Sequence, residues 1–435
     1  MLSKIISLVV ISLAIGIYVL VKGKKSGHTE KKITRAKEFG FHEPVSLHPA
    51  IDPAKCIGSG ACVKACPEKD ILGISRGKGK LINASHCVGH GACAAACPVD
   101  AITLVFGTET RGVEIPYVTP DFETNVKGVY IAGELGGMGL IKNAITQGRE
   151  AVEYIACALK SEEIKEENTY DLIIIGAGPA GIGASLSALK HKLNFLTIDQ
   201  SEIGGTVFNY PRHKIVMTSP VEIPLYGKVK LRETTKEALL DLWMKIISQT
   251  GLKINTNEKM LALSPHKNGS YTIKTSKGEY RAKKVILAIG RRGTPRKLGV
   301  PGEALPKVAY RLLDPEQHQD EDILVVGGGD SAVEAAMALA GQGANRVILS
   351  YRKEAFGRIK AGNKTRLDSA IAKEALKVIF NSNVKEIREK DVKISEGEKT
   401  GFIKNDYVYI FAGGELPNEF LKSIGIKIEK KFGTA

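Results

Sequence analysis

Cysteine is absent from the C-terminal part of this 435-residue chain, since none occurs from 170 to 435. That absence excludes a disulfide framework and a redox-active C-x-x-C pair from more than half of the sequence. Six of the seven cysteines instead lie within 42 residues, from 56 to 97. Clustered thiols of this kind indicate metal binding rather than disulfides. The remaining cysteine, Cys157, is predicted to be a small buried residue of a helix.

Charge is absent from the largely apolar segment 5–21. Its 17 residues are at the lower limit for a helix that spans a membrane. KGKK follows this segment, where a signal peptide would have a small-residue cleavage site, and the segment is apolar on every side, unlike an amphipathic core helix. The sequence therefore predicts one transmembrane helix at 1–22.

Acidic residues are outnumbered by basic ones, which gives a formal net charge of +15. Such a charge suits either nucleic acid or an anionic membrane surface. The residues that directly follow the apolar run include one acid, Glu30, and seven bases: Lys22, Lys24, Lys25, Lys31, Lys32, Arg35 and Lys37. This distribution favours a membrane and not nucleic acid as the partner. The positive-inside rule then predicts a single-pass protein of the cytoplasmic membrane whose other residues face the cytoplasm.

Two similar units at 51–106 share the spacing C-x5-C-x3-C-P, with an offset of 31 residues at each cysteine. Their six thiols are the predicted metal ligands: Cys56, Cys62, Cys66, Cys87, Cys93 and Cys97. A zinc site is the weaker interpretation, because structural zinc sites usually have paired cysteines two to four residues apart. A degenerate domain that keeps the fold of these repeats but holds no metal is the third possibility.

The repeated spacing resembles that of the bacterial dicluster ferredoxins, C-x2-C-x2-C-x3-C-P. The resemblance implies two iron–sulfur clusters, each held by one set of thiols: Cys56, Cys62 and Cys97, or Cys66, Cys87 and Cys93. The second ligand position of the ferredoxin pattern holds Ser59 in the first unit and His90 in the second. Each cluster is therefore either [3Fe-4S], which needs only three protein ligands, or [4Fe-4S] with a non-thiolate ligand, for which His90 is the better candidate. Some [3Fe-4S] ferredoxins that serve cytochromes P450 also carry His here, which favours the first option.

A dinucleotide-binding pattern follows at 171–199. A buried strand runs into G-x-G-x-x-G, formed by Gly176, Gly178 and Gly181, and then into a helix. The first glycine makes the turn, the second lets the backbone approach a pyrophosphate, and the third lets the helix pack closely. Asp199 ends the next strand, 18 residues after Gly181, where an acid can bind ribose hydroxyls.

A second pattern of the same kind has Gly327, Gly329 and, at its third position, Ala332. No carboxylate follows its second strand, where Arg352 and Lys353 stand instead. Because a guanidinium suits a 2′-phosphate, NADPH is expected in preference to NADH. A solvated strand end is the alternative for these two residues.

The two sites together resemble the thioredoxin reductase-like flavoproteins over about 107–435. The resemblance implies FAD at the first site and NADPH at the second, with Tyr351, Arg352 and Lys353 in place of the family's basic segment and Arg358 nearby. The redox C-x-x-C of the thioredoxin reductases is missing. Related bacillithiol disulfide reductases have a cysteine where this chain has Ala180. Disulfide reduction through protein thiols is therefore not expected.

The segment that closes this family, T-x-x-P-G-V-Y-A-A-G-D, stands here at 124–134, ahead of the first glycine loop. The resemblance implies that Gly133 and Glu134 bind the ribityl side of FAD and that Gln147 lies near the flavin ring. Glu134 replaces the family's aspartate and reaches one methylene further. Circular permutation is the simplest account of this order.

The predicted fold is α/β, with two Rossmann-like dinucleotide-binding domains, a small α+β ferredoxin-like domain and one N-terminal transmembrane helix. The predicted boundaries are a transmembrane anchor at 1–22, a basic linker at 23–50, a dicluster ferredoxin domain at 51–106, a relocated C-terminal part of the FAD domain at 107–160, an FAD-binding domain at 170–296, an NAD(P)-binding domain at 297–410 and a return segment of the FAD domain at 411–435.

The expected function is that of a membrane-anchored oxidoreductase that moves electrons between NAD(P)H, FAD and two iron–sulfur clusters, with a one-electron carrier or acceptor as partner. Because the cofactors do this chemistry, no side chain is nominated as a general acid or base, and His213 is expected to be structural. The alternatives are a membrane-bound redox sensor and a reductase of a small substrate at the flavin. A homodimer is a further expectation.

Overall fold

A computed structural model describes residues 2–433 except 39–40, 45–46, 69, 109–111, 138, 161–166, 213–214, 218–219, 231–232, 292 and 358. The chain divides into two units, and the first consists of Met1–Glu114 with Lys430–Ala435. The second unit is Ile115–Glu429. Arg358 and His213 lie outside the described residues, so their predicted roles stay predictions.

One helix, α1 (Leu2–Glu38), contains both the apolar run and much of the segment predicted as a basic linker. Its C-terminal half packs on the rest of the first unit, where Ser75 Oγ donates a hydrogen bond to Glu30 Oε1 (2.5 Å) and Thr29 is buried. Within the described parts of the chain, no helix is both long enough and apolar enough to cross a membrane. The transmembrane helix predicted at 1–22, and the single-pass localisation inferred from it, are therefore not supported. The helix does not end with the apolar run, because the residues after it find partners in the first unit.

The remainder of the first unit is a small α+β arrangement in which the two cysteine repeats have similar structures. Its elements are β1 (His48–Ile51), α2 (Ala61–Ala65), β2 (Leu72–Ser75), β3 (Lys78–Leu81), α3 (Ala92–Ala95) and β4 (Ile102–Val105). Strand β1 pairs antiparallel with β4, and β2 with β3. Helices α2 and α3 each follow a glycine in the left-handed conformation, Gly60 (φ 75°) or Gly91 (φ 74°). The backbone thus repeats at the same points as the sequence.

The elements of the predicted FAD domain come next, and the first of them, at 113–116, includes the boundary between the two units. They are β5 (Val113–Pro116), β6 (Val129–Ile131), α4 (Ile141–Leu159), β7 (Tyr170–Ile175), α5 (Pro179–Lys190), β8 (Phe195–Ile198), β9 (Ile215–Met217), β10 (Val221–Ile223), β11 (Gly227–Val229), β12 (Glu233–Thr235), α6 (Lys236–Thr250), β13 (Met260–Pro265), β14 (Tyr271–Thr275) and β15 (Glu279–Leu287). A six-stranded sheet has the order β13-β14-β15-β7-β8, with β6 also paired to β15. Strands β6, β15, β7 and β8 are parallel, and the apolar residues of β7 at 172–175 are buried, as in a sheet covered on both faces.

Strand β6 and helix α4 precede β7 in the chain, but β6 belongs to the same sheet as β7, and α4 lies beside the helix that follows β7. Helix α4 packs on α5, where Gly148 comes so close to the carbonyl oxygen of Ala180 that a Cβ atom would overlap it. Near the start of the relocated segment, the amide of Tyr117 donates a hydrogen bond to the carbonyl of Lys427 (2.8 Å). The residues around Lys427, close to the end of the sequence, therefore lie beside the start of that segment. This is the arrangement that the permutation hypothesis requires.

The second glycine loop belongs to a separate parallel sheet. The remaining elements are β16 (Thr294–Pro295), β17 (Val308–Ala309), β18 (Asp322–Val326), α7 (Asp330–Ala340), β19 (Arg346–Ser350), α8 (Ala361–Ala372), β20 (Leu376–Ile379), β21 (Ser382–Ile387), β22 (Asp391–Glu396), β23 (Lys399–Lys404), β24 (Tyr407–Ile410), β25 (Gly414–Glu415), α9 (Asn418–Ser423) and β26 (Ile428–Lys431). The sheet order is β17-β24-β18-β19-β20, and β21, β22 and β23 form an antiparallel sheet. Strand β26 pairs with β5. The prediction of an α/β fold with Rossmann-type domains is confirmed.

Candidate cofactor sites

The first glycine loop has the shape of a phosphate cradle. It joins the end of β7 to the start of α5, and a Cβ atom on Gly181 would overlap the carbonyl oxygen of Gly176, so only glycine permits this contact. A Cβ atom on Gly178 would meet nothing closer than Gly205 Cα, at 3.8 Å. Gly178 therefore leaves space in front of the N-terminus of α5, where backbone amides and the helix dipole favour an anion. The residues present fit the pyrophosphate of a dinucleotide.

Asp199 is tied to this loop by its carboxylate. Its Oδ2 accepts a hydrogen bond from the amide of Ala177 (2.6 Å), and its Oδ1 accepts one from the amide of Ser201 (2.8 Å). Burial raises the pKa of Asp199, and these two amide donors act against that rise. The carboxylate thus holds the loop in place, and its predicted role in ribose binding stays a prediction.

The relocated segment reaches the same loop. The amide of Gly133 donates to Gln147 Oε1 (2.8 Å), and a Cβ atom on Gly133 would lie 2.8 Å from the Cβ atom of Ala180, inside the G-x-G-x-x-G motif. The structure therefore brings Gly133 and Gln147 together with the first glycine loop, although 45 residues separate Gly133 from Gly178 in the sequence.

Arg291 is a residue of this region that the sequence analysis missed. Burial lowers the pKa of its guanidinium, and the nearby half-buried carboxylate of Glu134 acts in the opposite direction. A signal was present in the motif AIGRRG, since it places a cation three residues after Ala288, the residue that follows β15. Charges at the carboxyl end of a parallel strand face the usual ligand side of such a sheet.

The second glycine loop repeats this geometry between β18 and α7. A Cβ atom on Gly327 would lie 2.6 Å from the carbonyl oxygen of Phe411, Ala332 is fully buried, and Gly329 faces open space. The ring of Tyr351, at the end of β19, lies directly against Gly328. The structure thus places the segment with the exposed Arg352 and Lys353 beside this loop.

Asp330 and Asn363 were also missed by the sequence analysis. Asp330 Oδ1 accepts hydrogen bonds from the amide of Lys360 (2.8 Å) and from Nδ2 of the buried Asn363 (2.6 Å), which joins the N-termini of α7 and α8 beside the glycine loop. An acid directly after three glycines was a signal for Asp330. Asn363 gave none, because its partner is 33 residues away.

The first set of thiols surrounds one cavity. Cys56, Cys62 and Cys97 line it together with Ser59. The amide of Gly79 donates to Cys56 Sγ (3.2 Å), and the amide of Ala101 donates to Cys97 Sγ (3.3 Å). Amide donors to sulfur are the environment that a negatively charged iron–sulfur cluster requires.

The second set is more buried. Burial raises the pKa of Cys87 to about 11 and also raises the pKa values of Cys66 and Cys93. Neighbouring thiols add to the rise at all three, and Glu68 adds to it at Cys66 and Cys87. Thiols in this environment ionise when a metal supplies positive charge. Between them in the sequence stands His90, whose Nε2 is buried without a hydrogen-bond partner among the described residues. Such a donor set fits iron.

In the described part of the chain, no group of three or more His, Cys, Asp or Glu side chains is arranged to hold a single metal ion.

Cys157 lies on helix α4, as predicted, but it is exposed, so the prediction of a buried residue is wrong. The buried residues of α4, such as Ala151 and Ile155, belong instead to a core cluster that includes Ala184 and Ala188 of α5.

Two glycine loops in parallel sheets, with a thiol-rich unit before them, define a pyridine-nucleotide flavoenzyme with an attached iron–sulfur domain. Residues 173–434 match the pyridine nucleotide-disulphide oxidoreductase family, and residues 48–98 match the 4Fe-4S dicluster domain. The chain belongs to the pyridine nucleotide-disulphide oxidoreductase family. The predicted family and the predicted enzyme class, an FAD- and iron–sulfur-dependent NAD(P)H oxidoreductase, are confirmed.

The relatives resemble the reductase part. Bacilliredoxin reductase Bdr of Bacillus subtilis is 29% identical over 265 residues, which are 60% of this chain and 82% of Bdr. The ferredoxin–NADP reductase of Ignicoccus hospitalis is 30% identical over 272 residues, 60% of this chain and 83% of that protein. The solved structure of the bacillithiol disulfide reductase Bdr from Staphylococcus aureus has a TM-score of 0.54 at 29% identity and covers 60% of this chain and 82% of its own.

Proposed function

We propose that this protein moves electrons between NAD(P)H, FAD and two iron–sulfur clusters, and exchanges them with a one-electron carrier. The distribution of thiols is the observation that carries the proposal. The region 170–435 contains no cysteine, whereas the first unit has two sets of three cysteines, one of them around a cavity with amide donors to sulfur. An electron that leaves the flavin has no protein dithiol to reach in the reductase part.

The residues of the chain bind and position the cofactors. When bound, FAD exchanges two electrons with NAD(P)H and single electrons with iron–sulfur clusters. Gly178 and Gly329 leave room for the two pyrophosphates, and Asp199 fixes the first loop through the amide of Ala177. No side chain has to transfer a proton for this function. The similarity to a protein named ferredoxin–NADP reductase supports the same pairing of cofactor and carrier.

The nicotinamide cofactor is proposed to be NADPH. Arg352 and Lys353 follow β19 beside the second glycine loop, and both are exposed, so they are accessible to a 2′-phosphate. The partner is proposed to be an acidic carrier, because the chain has a formal net charge of +15. Rising ionic strength should then slow the reaction with such a carrier.

The proposal is tested with the full chain and a one-electron acceptor, cytochrome c. The variant Cys62→Ser with Cys93→Ser removes one thiol from each set, and Cys157→Ser, outside both sets, is the matched control. NADPH should still reduce the flavin of the double variant anaerobically, while cytochrome c reduction falls to a small fraction of the wild-type rate. An unchanged rate in the double variant would show that electrons leave directly from the flavin.

A second candidate function is the reduction of a small substrate at the flavin, which the similarity to the two Bdr proteins favours. Under that function, a disulfide substrate would reoxidise the NADPH-reduced flavin equally fast in the wild type and in the double variant. A redox sensor, the third possibility, would show negligible turnover with any acceptor.

A further inference from the structure

The two cysteine repeats have the same backbone around unlike side chains. The glycines that flank Ser59 have φ values of 69° and 75°, and those that flank His90 have 75° and 74°. A short helix with the second cysteine of its repeat follows each loop. Ser59 and His90 therefore occupy equivalent positions, and the difference between the repeats lies in the side chains themselves.

The environments of these two side chains differ. Ser59 is exposed, and its Oγ accepts a long hydrogen bond from the amide of Ala61 (3.4 Å). His90 Nε2 is buried and has no hydrogen-bond partner in the part of the chain that the structure describes. A buried nitrogen without a partner is rare in folded proteins, because it has lost its contact with water and gained nothing in return. Hydration and the local turn satisfy the serine, whereas His90 Nε2 has no hydrogen-bond partner among the residues that the structure describes.

Iron is the partner that the surroundings of His90 suggest. Cys87 and Cys93 stand three residues before and after it in the sequence, and both are buried. The charged groups that act on the Cys87 thiol are Cys93, Cys66 and Glu68. Glu68 is also the charged neighbour of His90. A neutral imidazole nitrogen is a good iron ligand.

We propose that His90 Nε2 is the fourth protein ligand of the cluster held by Cys66, Cys87 and Cys93, and that Ser59 is no ligand. The second site then holds a [4Fe-4S] centre with three thiolates and one imidazole. The first site, where Ser59 lines the cavity beside three thiolates but directs its hydroxyl to the amide of Ala61, holds a [3Fe-4S] centre. This inference rests on the proposed function, since it assumes that both sites contain clusters.

The two centres should differ in reduction potential in a way that depends on His90. Replacing a thiolate by a neutral imidazole removes one negative charge from the ligand set, which favours the reduced state and raises the potential. His90→Cys restores the thiolate and should lower the potential of the second centre alone. Ser59→Ala should leave both potentials unchanged.

The test uses full-length protein prepared anaerobically with ¹⁵N-labelled histidine. Pulsed electron paramagnetic resonance of the reduced second centre should show a strongly coupled ¹⁵N nucleus, and this coupling should vanish in His90→Cys while the cluster signal persists. Ser59→Ala and His86→Gln are matched controls in the same unit and should keep the coupling. The flavin content of each variant reports whether the reductase part has folded.

Two results would overturn the inference. Absence of a strongly coupled ¹⁵N in wild-type protein with an intact reduced [4Fe-4S] signal would show that His90 is no ligand. Mössbauer spectra with two [3Fe-4S] centres would do the same. Protein without iron and acid-labile sulfide would instead refute the proposed function, so the two failures are distinguishable.

Discussion

Single residues at the glycine loops decide which backbone atoms can face a ligand. Gly181 and Gly178 belong to one motif, but the first is required by contact with the protein and the second leaves space for something else. The sequence motif predicts both positions and cannot separate these reasons, because they depend on where the carbonyl of Gly176 and the loop around Gly205 lie.

Substitution at these two glycines should separate folding from FAD binding. Gly181→Ala should lower the free energy of unfolding by about 1–3 kcal/mol or more, because the new methyl group overlaps a backbone oxygen. Gly178→Val should change that free energy little and strongly reduce the FAD bound per chain, since its side chain fills the open space. Denaturant unfolding of the apoprotein and flavin absorbance of the purified protein measure the two effects. Full FAD content in Gly178→Val would contradict this view of the loop.

The basic residues after β19 should set the choice of nicotinamide cofactor. Replacing Arg352 and Lys353 by glutamine removes charge-assisted contacts to a 2′-phosphate, each worth about 1.5–3 kcal/mol. We expect kcat/KM for NADPH to fall by roughly tenfold or more, with kcat/KM for NADH nearly unchanged. Steady-state rates with both cofactors check this, and unchanged kcat/KM values for both would assign these residues to a solvated strand end.

The sequence motifs predicted the positions of the thiols and glycines better than those of the other side chains that surround the two glycine loops. Arg291, Asp330 and Asn363 lie at the two loops through contacts that the order of residues does not reveal. Asp199 is the opposite case. Its spacing predicted a ribose ligand, but both of its carboxylate oxygens accept hydrogen bonds from backbone amides.

At the scale of elements, β6 and α4 show how much a local motif can predict. The sequence at 124–134 predicted a strand and glycine turn of an FAD domain, and the structure pairs β6 with β15 and packs α4 on α5. Helix α1 shows the limit of such patterns. A change from apolar to basic residues suggested an anchor followed by a linker, but the backbone stays helical because Thr29 and Glu30 contact the rest of the first unit.

A cluster of charges at the amino end of β18 should make stability depend on acid. Arg346 and Lys404 hold the pKa of Asp322 at about 2, well below its ordinary value of 3.8. Because the folded pKa is the lower one, ionised Asp322 stabilises the fold above the ordinary pKa, and this contribution disappears as pH falls towards 2. We estimate it at about 1–2 kcal/mol, since both cations are largely exposed.

Asp322→Asn should therefore lower the free energy of unfolding at pH 7 and flatten its decline between pH 4 and pH 2. Asp320→Asn is the matched control, because Asp320 contacts the same arginine from an exposed position and should have a smaller effect. Denaturant titrations across this pH range provide the measurement. Parallel curves for wild type and Asp322→Asn would contradict the assignment.

At the scale of the whole molecule, the chain joins a 4Fe-4S dicluster domain to a pyridine nucleotide-disulphide oxidoreductase domain. The sequence predicted the order of these parts and the family, because glycine loops and cysteine spacings are local. It did not predict that α1 belongs to the first unit, because that depends on contacts between residues about 45 positions apart, such as Ser75 and Glu30.

Electron paramagnetic resonance of the anaerobic full-length protein during titration with NADPH tests the central claim most directly. Electrons from NADPH should bleach the flavin and then change the spectra of both iron–sulfur centres, in proportion to the NADPH added. A flavin that bleaches completely while the cluster signals stay unchanged would contradict electron transfer between them.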